Sequence, residues 1–157
     1  MILAVIDTNV LVSALWTKND KAPTYRLLQL MQQGVFIPLY NEEILSEYDD
    51  VLNRPKFHFS QKSIATIIEF IREYGIESNR IPYDAEMPDE DDRVFYEVAL
   101  SKDDAYLVTG NLKHFPTTPI VVTPAEMLEI VLNQLQTILF SPHIFHSQWM
   151  MDMGIFL

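Results

Sequence analysis

The chain opens on a short apolar run, Ile2 to Ile6, that stops on the carboxylate of Asp7. Two small polar residues, Thr8 and Asn9, follow before the apolar pattern resumes at Val10. An uncharged run of this length reads as a strand covered on both faces, which is the signature of a parallel sheet. Asp7 then stands at the carboxyl end of that strand, where open α/β sheets gather their ligands. Thr8 or Asn9 is expected to cap the following helix through a free backbone N–H. Taken alone, Asp7 can equally be a residue that ends the strand and helps start the helix. What tips the balance is the set of carboxylates that arrives later at the ends of other elements.

Behind this start, strands and helices alternate. Ala22 to Gln33 has Tyr25, Leu28 and Met31 at helical spacing, with Gly34 as a left-handed stop. Val35 to Leu39 reads as a second buried strand. Asn41 is expected to cap a helix whose inner face is Ile44, Leu45, Tyr48, Val51 and Leu52. Glu47 falls at the rim of that face, and Glu42 and Glu43 fall in solvent. Asn53 to Phe57 closes the helix. Ser60 opens another, with Ile64, Ile67, Ile68, Ile71 and Tyr74 as its core stripe and Gly75 at its end. Ile76 to Ile81 predicts a weaker third strand, Ala105 to Val108 a fourth and Ile120 to Val122 a fifth. Thr123-Pro124-Ala125-Glu126 is a capping box for a helix running to about Leu139. The predicted fold class is therefore α/β, a three-layer α/β/α domain over residues 1–139 with a mostly parallel sheet of about five strands.

Between the third and fourth strands lies an acid run: Asp84, Glu86, Asp89, Glu90, Asp91 and Asp92. Acids in a first helical turn suit the helix dipole. Four in succession repel one another, however, unless something positive sits among them. Asp91 and Asp92 both project towards the apolar side of the predicted helix, beside Val94, Phe95, Val98 and Ala99. The fourth strand also ends in polar residues, Thr109-Gly110-Asn111.

Composition narrows the chemistry. A net charge of −11 over 157 residues argues against broad binding to duplex nucleic acid, which calls for a basic surface. It does not argue against a metal site acting on a phosphodiester, because a bound cation reverses the local field. There are no cysteines, which excludes disulfides and thiolate metal sites. The start of the chain lacks the basic region of a signal peptide, no run is long enough to cross a bilayer, and the expected location is the cytoplasm. Asp7, Glu47, Asp92 and Asn111 come from four segments whose strand ends converge in a parallel sheet. Oxygen ligands of this kind suit Mg²⁺ or Mn²⁺. Of the four histidines, none has metal spacing with another, and His58 and His114 read as packing or loop residues beside phenylalanines.

These residues carry a resemblance. Asp7-Thr8-Asn9, Glu47-Tyr48, Val51-Leu52-Asn53-Arg54-Pro55-Lys56-Phe57, Asp91-Asp92 ahead of Ala99, Leu107-Val108-Thr109-Gly110-Asn111 and Thr123-Pro124 occur in an order that resembles PIN-domain proteins. The resemblance is to the branch of toxin components of toxin–antitoxin systems related to VapC-type ribonucleases, and it covers roughly residues 1–135. It implies a PIN-like fold, Mg²⁺ or Mn²⁺, and cleavage of single-stranded RNA at a quartet of acids, with an antitoxin protein and a second copy of the chain as partners. By position the metal-binding acids are Asp7, Glu47 and Asp92, with Thr8, Asn9, Asp91 and Thr109 in support. The fourth catalytic position is Asn111, where that family commonly has Asp; restoring the acid is expected to raise metal affinity and rate together. Arg93, Lys113, Arg54 and Lys56 are the expected phosphate contacts. A metal-dependent endoribonuclease is one reading, and a PIN-fold module that binds RNA or a protein partner with weakened turnover is the other. The tail 140–157, rich in Ile144, Phe145, Trp149, Met150, Met151, Met153, Ile155 and Phe156, is expected to dock on its own domain or on a second copy.

Overall fold

The computed structural model describes residues 1–140. Five strands form one sheet: β1 (Ile2–Ile6), β2 (Phe36–Tyr40), β3 (Ile76–Glu77), β4 (Tyr106–Val108) and β5 (Val121–Val122). All pair in parallel, in the order β3-β2-β1-β4-β5. Six α-helices accompany them: α1 (Thr8–Trp16), α2 (Pro23–Gln32), α3 (Glu42–Leu52), α4 (Gln61–Tyr74), α5 (Arg93–Ala99) and α6 (Pro124–Leu139). The arrangement is the three-layer α/β/α fold that alternating strand and helix patterns call for.

The central strand is the most apolar one. β1 pairs with β2 on one side (Leu3 opposite Ile37) and β4 on the other (Val5 opposite Leu107). Ala4, Val5 and Ile6 are buried because helices cover both faces. On one flank α2 packs against α1 and α6; α5 lies on β1 and β4, and α3 touches both α4 and α5. In α4 the stripe Ile64, Ile67 and Ile71 is buried, each worth roughly 1.5–3 kcal/mol of transfer from water. Gly34 has φ +77, the left-handed stop that only glycine adopts without strain. Asn41, Ser60 and Thr123 cap α3, α4 and α6 as expected, accepting from the amides of Ile44, Ser63 and Glu126.

The structure departs from the sequence reading in several elements. Neither Thr8 nor Asn9 caps α1: Asp7 is the N-cap residue, and its carboxylate turns towards other partners. Tyr74 is 60 % exposed and meets the Phe70 ring at a tilt at the end of α4, one turn beyond the buried stripe. The third strand stops at Glu77, and beyond it Arg80 turns off the sheet to Glu43 and Glu97. Pro88 and Asp89 do not lead straight into a helix; a 3-10 turn over Glu90–Asp92 precedes α5. No helix among the described residues is long and apolar enough to cross a membrane. The expected docking of the tail falls on residues 141–157, outside the described residues; Phe140, the last described one, is 81 % exposed.

Candidate metal centre

β1 is where the chain order reverses, since the chain passes first to β2 on one side and later to β4 on the other. In an open parallel sheet this opens a crevice at the carboxyl ends of the two adjacent strands. Asp7 follows β1 directly and Thr109 follows β4 directly. The register fixes their meeting: Ile6 lies opposite Val108, and the amide of Asp7 donates to the Val108 carbonyl at 2.9 Å. The hydroxyl of Thr109, fully buried, donates to Asp7 Oδ2 at 2.7 Å and accepts from the amide of Asn111 at 2.9 Å. Asn9 closes the same corner, donating to Asp7 Oδ2 at 3.0 Å and accepting from the amide of Gly110 at 3.1 Å.

From the other side α3 brings Glu47. Tyr48, beside it, is buried and donates to the Ile6 carbonyl, which pins α3 against the end of β1. Burial pushes the Tyr48 phenol well above its ordinary range, and the nearby Asp7 and Glu47 carboxylates push the same way, so it stays a donor. Thr8 donates its hydroxyl to Glu47 Oε2 at 2.9 Å. Of the two residues expected to cap α1, Thr8 therefore holds Glu47, and Asn9 ties Asp7 to the Gly110 amide.

Asp92 arrives at the end of the 3-10 turn ahead of α5 and is half-buried. Its Oδ2 lies 2.9 Å from Nδ1 of His114, and Asp89 Oδ2 lies 3.5 Å from the same nitrogen. On the far side of the ring the Asn111 amide meets Nε2 at 2.7 Å. With the amide donating to Nε2, the ring carries its proton on Nδ1 and donates it to Asp92. Asp89, Asp92 and His114 each offer a ligand atom within 4.8 Å of the others.

The electrostatics tie the three acids into one group. Burial raises Asp7 to about 7; the Thr109 hydroxyl pulls it back, and Asp92 and Glu47 push it up again. Glu47 is raised, first by burial and then, against the Thr8 bond, by Asp92 and Asp91, while Arg54 lowers it. Asp92 is raised by burial and by Asp89 and Asp91, against the opposing pull of His114. Carboxylates held this way have donors around them and no Lys or Arg ion pair among the described residues. Such a donor set, mostly carboxylate oxygen with one imidazole at its edge, fits a divalent cation of the Mg²⁺ or Mn²⁺ type.

Several expected roles change. His114 is part of the cluster, not a packing residue; the signal was its spacing of three from Asn111, because side chains three apart eclipse in a 3-10 turn (Leu112–His114). Asp91 is exposed instead of facing the apolar side. Arg93 is tied to Glu90 at 2.7 Å and 2.8 Å, to the Ala85 carbonyl at 3.0 Å and to the Tyr83 carbonyl, so it holds the preceding loop and is poorly placed for phosphate. Lys113 is exposed, Arg54 has a long 3.5 Å contact with Asp50, and Lys56 lies over the Phe57 ring.

A family model described as PIN domain matches residues 3–113. The match takes in Asp7, Glu47, Asp92 and Asn111 and stops one residue short of His114. No curated protein and no solved structure matches the chain.

Proposed function

The chain belongs to the PIN-domain family, a nuclease fold, and from that premise we propose that it is a divalent-metal-dependent endoribonuclease cutting single-stranded RNA, the toxin of a toxin–antitoxin pair. What supports the reading is that burial raises Asp7, Glu47 and Asp92 alike, that Asp92 pushes up both of the others, and that none of the three has a Lys or Arg ion pair among the described residues. Acids that repel one another at a ligand-binding edge await a cation.

Asp7, Glu47 and Asp92 would hold Mg²⁺ or Mn²⁺, which supplies Lewis acidity at the phosphate and a more acidic water. Thr109 and Asn9 fix Asp7, and His114 fixes Asp92. Glu47 engages Thr8 through Oε2, which leaves Oε1 to take the proton of the attacking water. That water forms the new P–O bond as the bond to the leaving ribose oxygen breaks, and the departing oxygen takes a proton from solvent water. An antitoxin protein and a second copy of the chain are the proposed partners, in the cytoplasm.

The alternative, a PIN-fold module with weakened turnover that binds RNA or a protein, is favoured by one observation: the fourth catalytic position is an amide already engaged with His114. One assay separates the two. The purified chain is incubated with labelled single-stranded RNA in Mn²⁺, in Mg²⁺ and in chelator, beside Asp7→Asn. Metal-dependent cleavage that Asp7→Asn abolishes supports the enzyme. Tight binding without cleavage in either metal supports the module.

A further inference from the structure

We propose that Trp16, Phe57 and Phe59 form a ledge on which a single-stranded nucleic acid stacks its bases, with Arg54 and Lys56 taking its phosphates. The proposal rests on the nuclease reading for its substrate and goes beyond it in naming where the strand lies.

Position comes first. The two elements that supply Thr8 and Glu47 to the crevice also deliver the ledge. Trp16 is the last residue of α1, and Phe57 ends the 3-10 turn (Pro55–Phe57) that follows α3. Thr8 and Trp16 are the ends of a nine-residue helix, eight rises or about 12 Å apart at 1.5 Å per residue. That span holds three or four nucleotides at the stacked spacing of about 3.4 Å. A strand cut at the crevice therefore reaches the ledge a few nucleotides away.

The chemistry of the ledge is specific. Trp16 meets Phe57 edge-on at 5.3 Å, and Phe57 and Phe59 lie parallel, 10° apart, at 5.4 Å. Lys56 Nζ stands 5.0 Å from the Phe57 ring centre. Trp16 is 58 % exposed, although Val10, Leu11 and Ala14 of the same helix are buried, so the core does not account for it. Between the two phenylalanines His58 adopts φ 56, the left-handed conformation that ends the 3-10 turn and sets Phe57 and Phe59 on the same side of the chain.

Charge selects the occupant. In a chain of net charge −11, Arg72, Arg80 and Arg93 are held by glutamates. Lys56 has no carboxylate partner among the described residues, and the contact of Arg54 with Asp50 is long and exposed. Arg54 and Lys56 beside Phe57 and Phe59 suit a backbone of phosphates carrying unstacked bases. A duplex keeps its base faces covered and gains nothing from the rings.

The test uses the chain's own fluorophore. There are two tryptophans, so Trp149→Phe leaves Trp16 as the reporter, and Asp7→Asn prevents cleavage during titration. A short single-stranded oligoribonucleotide should quench Trp16, and the same sequence in a duplex should not. By fluorescence anisotropy, Trp16→Ala should weaken binding roughly tenfold or more, with Trp16→Phe restoring most of it. Lys56→Gln should lower the salt dependence by about one phosphate contact. Unchanged affinity in Trp16→Ala, equal quenching by the duplex, or no RNA binding at all overturns the ledge. Metal-dependent cleavage with a silent Trp16 overturns the ledge and leaves the nuclease standing. Trp16-dependent binding without cleavage does the reverse.

Discussion

Asp7 and Glu97 are buried to almost the same degree, 5 % and 6 % exposed, yet they have opposite company. Glu97 has an arginine: Arg80 donates to it at 3.1 Å and to Glu43 at 2.9 Å, bridging α5 and α3. Asp7 has only neutral donors, Thr109 and Asn9, and two further acids within electrostatic range. Burying a carboxylate is costly unless it is paired. The fold meets that cost at Glu97 with a cation of its own, and at Asp7 it leaves the place to one from outside. A paired buried acid reads as architecture, and an unpaired one in a crevice reads as a site.

The largest effect that would break this contrast is Asp7→Asn. Cleavage should fall by roughly a hundredfold or more, since a ligand is lost. Stability should move the other way. Folded Asp7 keeps its proton up to about pH 7, and the unfolded chain releases it near the ordinary value of 3.8. Ionisation therefore weighs against the fold: stability is greatest below the lower value, declines between the two, and the deficit is complete above about 7. Near pH 8, Asp7→Asn should thus stabilise the metal-free chain by up to about 4 kcal/mol, and near pH 5 by much less. Urea unfolding at both pH values measures this. A variant less stable than its parent near pH 8 would mean that Asp7 is not strained.

At Glu97 the contrast predicts the reverse sign. Arg80→Ala leaves a buried carboxylate alone and should destabilise the chain by about 2–3 kcal/mol, below the full value for a buried pair because Arg80 is partly exposed. Metal affinity, followed by calorimetric titration with Mn²⁺, should stay unchanged. A loss of affinity there would erase the distinction between the two acids.

A smaller effect is expected at His114, which orients Asp92 from behind. His114→Ala should weaken Mn²⁺ binding about tenfold with little change in melting temperature. Unaltered binding would assign the ring to packing after all. Smallest should be Asn111→Asp. An amide donates to Nε2 of His114, whereas a carboxylate can only accept, so the substitution loses the contact that holds the ring behind Asp92. Mn²⁺ affinity should shift by less than about threefold, because the added charge is offset by that loss of orientation. A tenfold gain would restore the direct electrostatic role expected from sequence.

Much of this was legible before any fold was known. The apolar run of β1 stopping at Asp7, the caps at Asn41, Ser60 and Thr123, and the glycine after α2 are local signals, and each acts within a few residues of itself. Glu47 at the rim of α3 was visible as a wheel position. Arg93 was misjudged because nearness in sequence to Asp92 says nothing of the Tyr83 and Ala85 carbonyls that claim its guanidinium. Thr8 and Asn9 were misjudged for a similar reason. A capping preference is an average over helices, and at this one Glu47 and Gly110 offer better partners from 39 and 101 residues away.

The sequence by itself determined the elements, their alternation and hence the parallel sheet, because periodicity and capping are written in neighbouring residues. Only the tertiary structure decided which acids stay unpaired. Arg80 reaches Glu97 because β3 breaks off after Glu77, and His114 reaches Asp92 across 22 residues because the carboxyl end of β4 opens beside α5. Charge pairing depends on distance through space, and that distance exists only once the sheet has set its strand order.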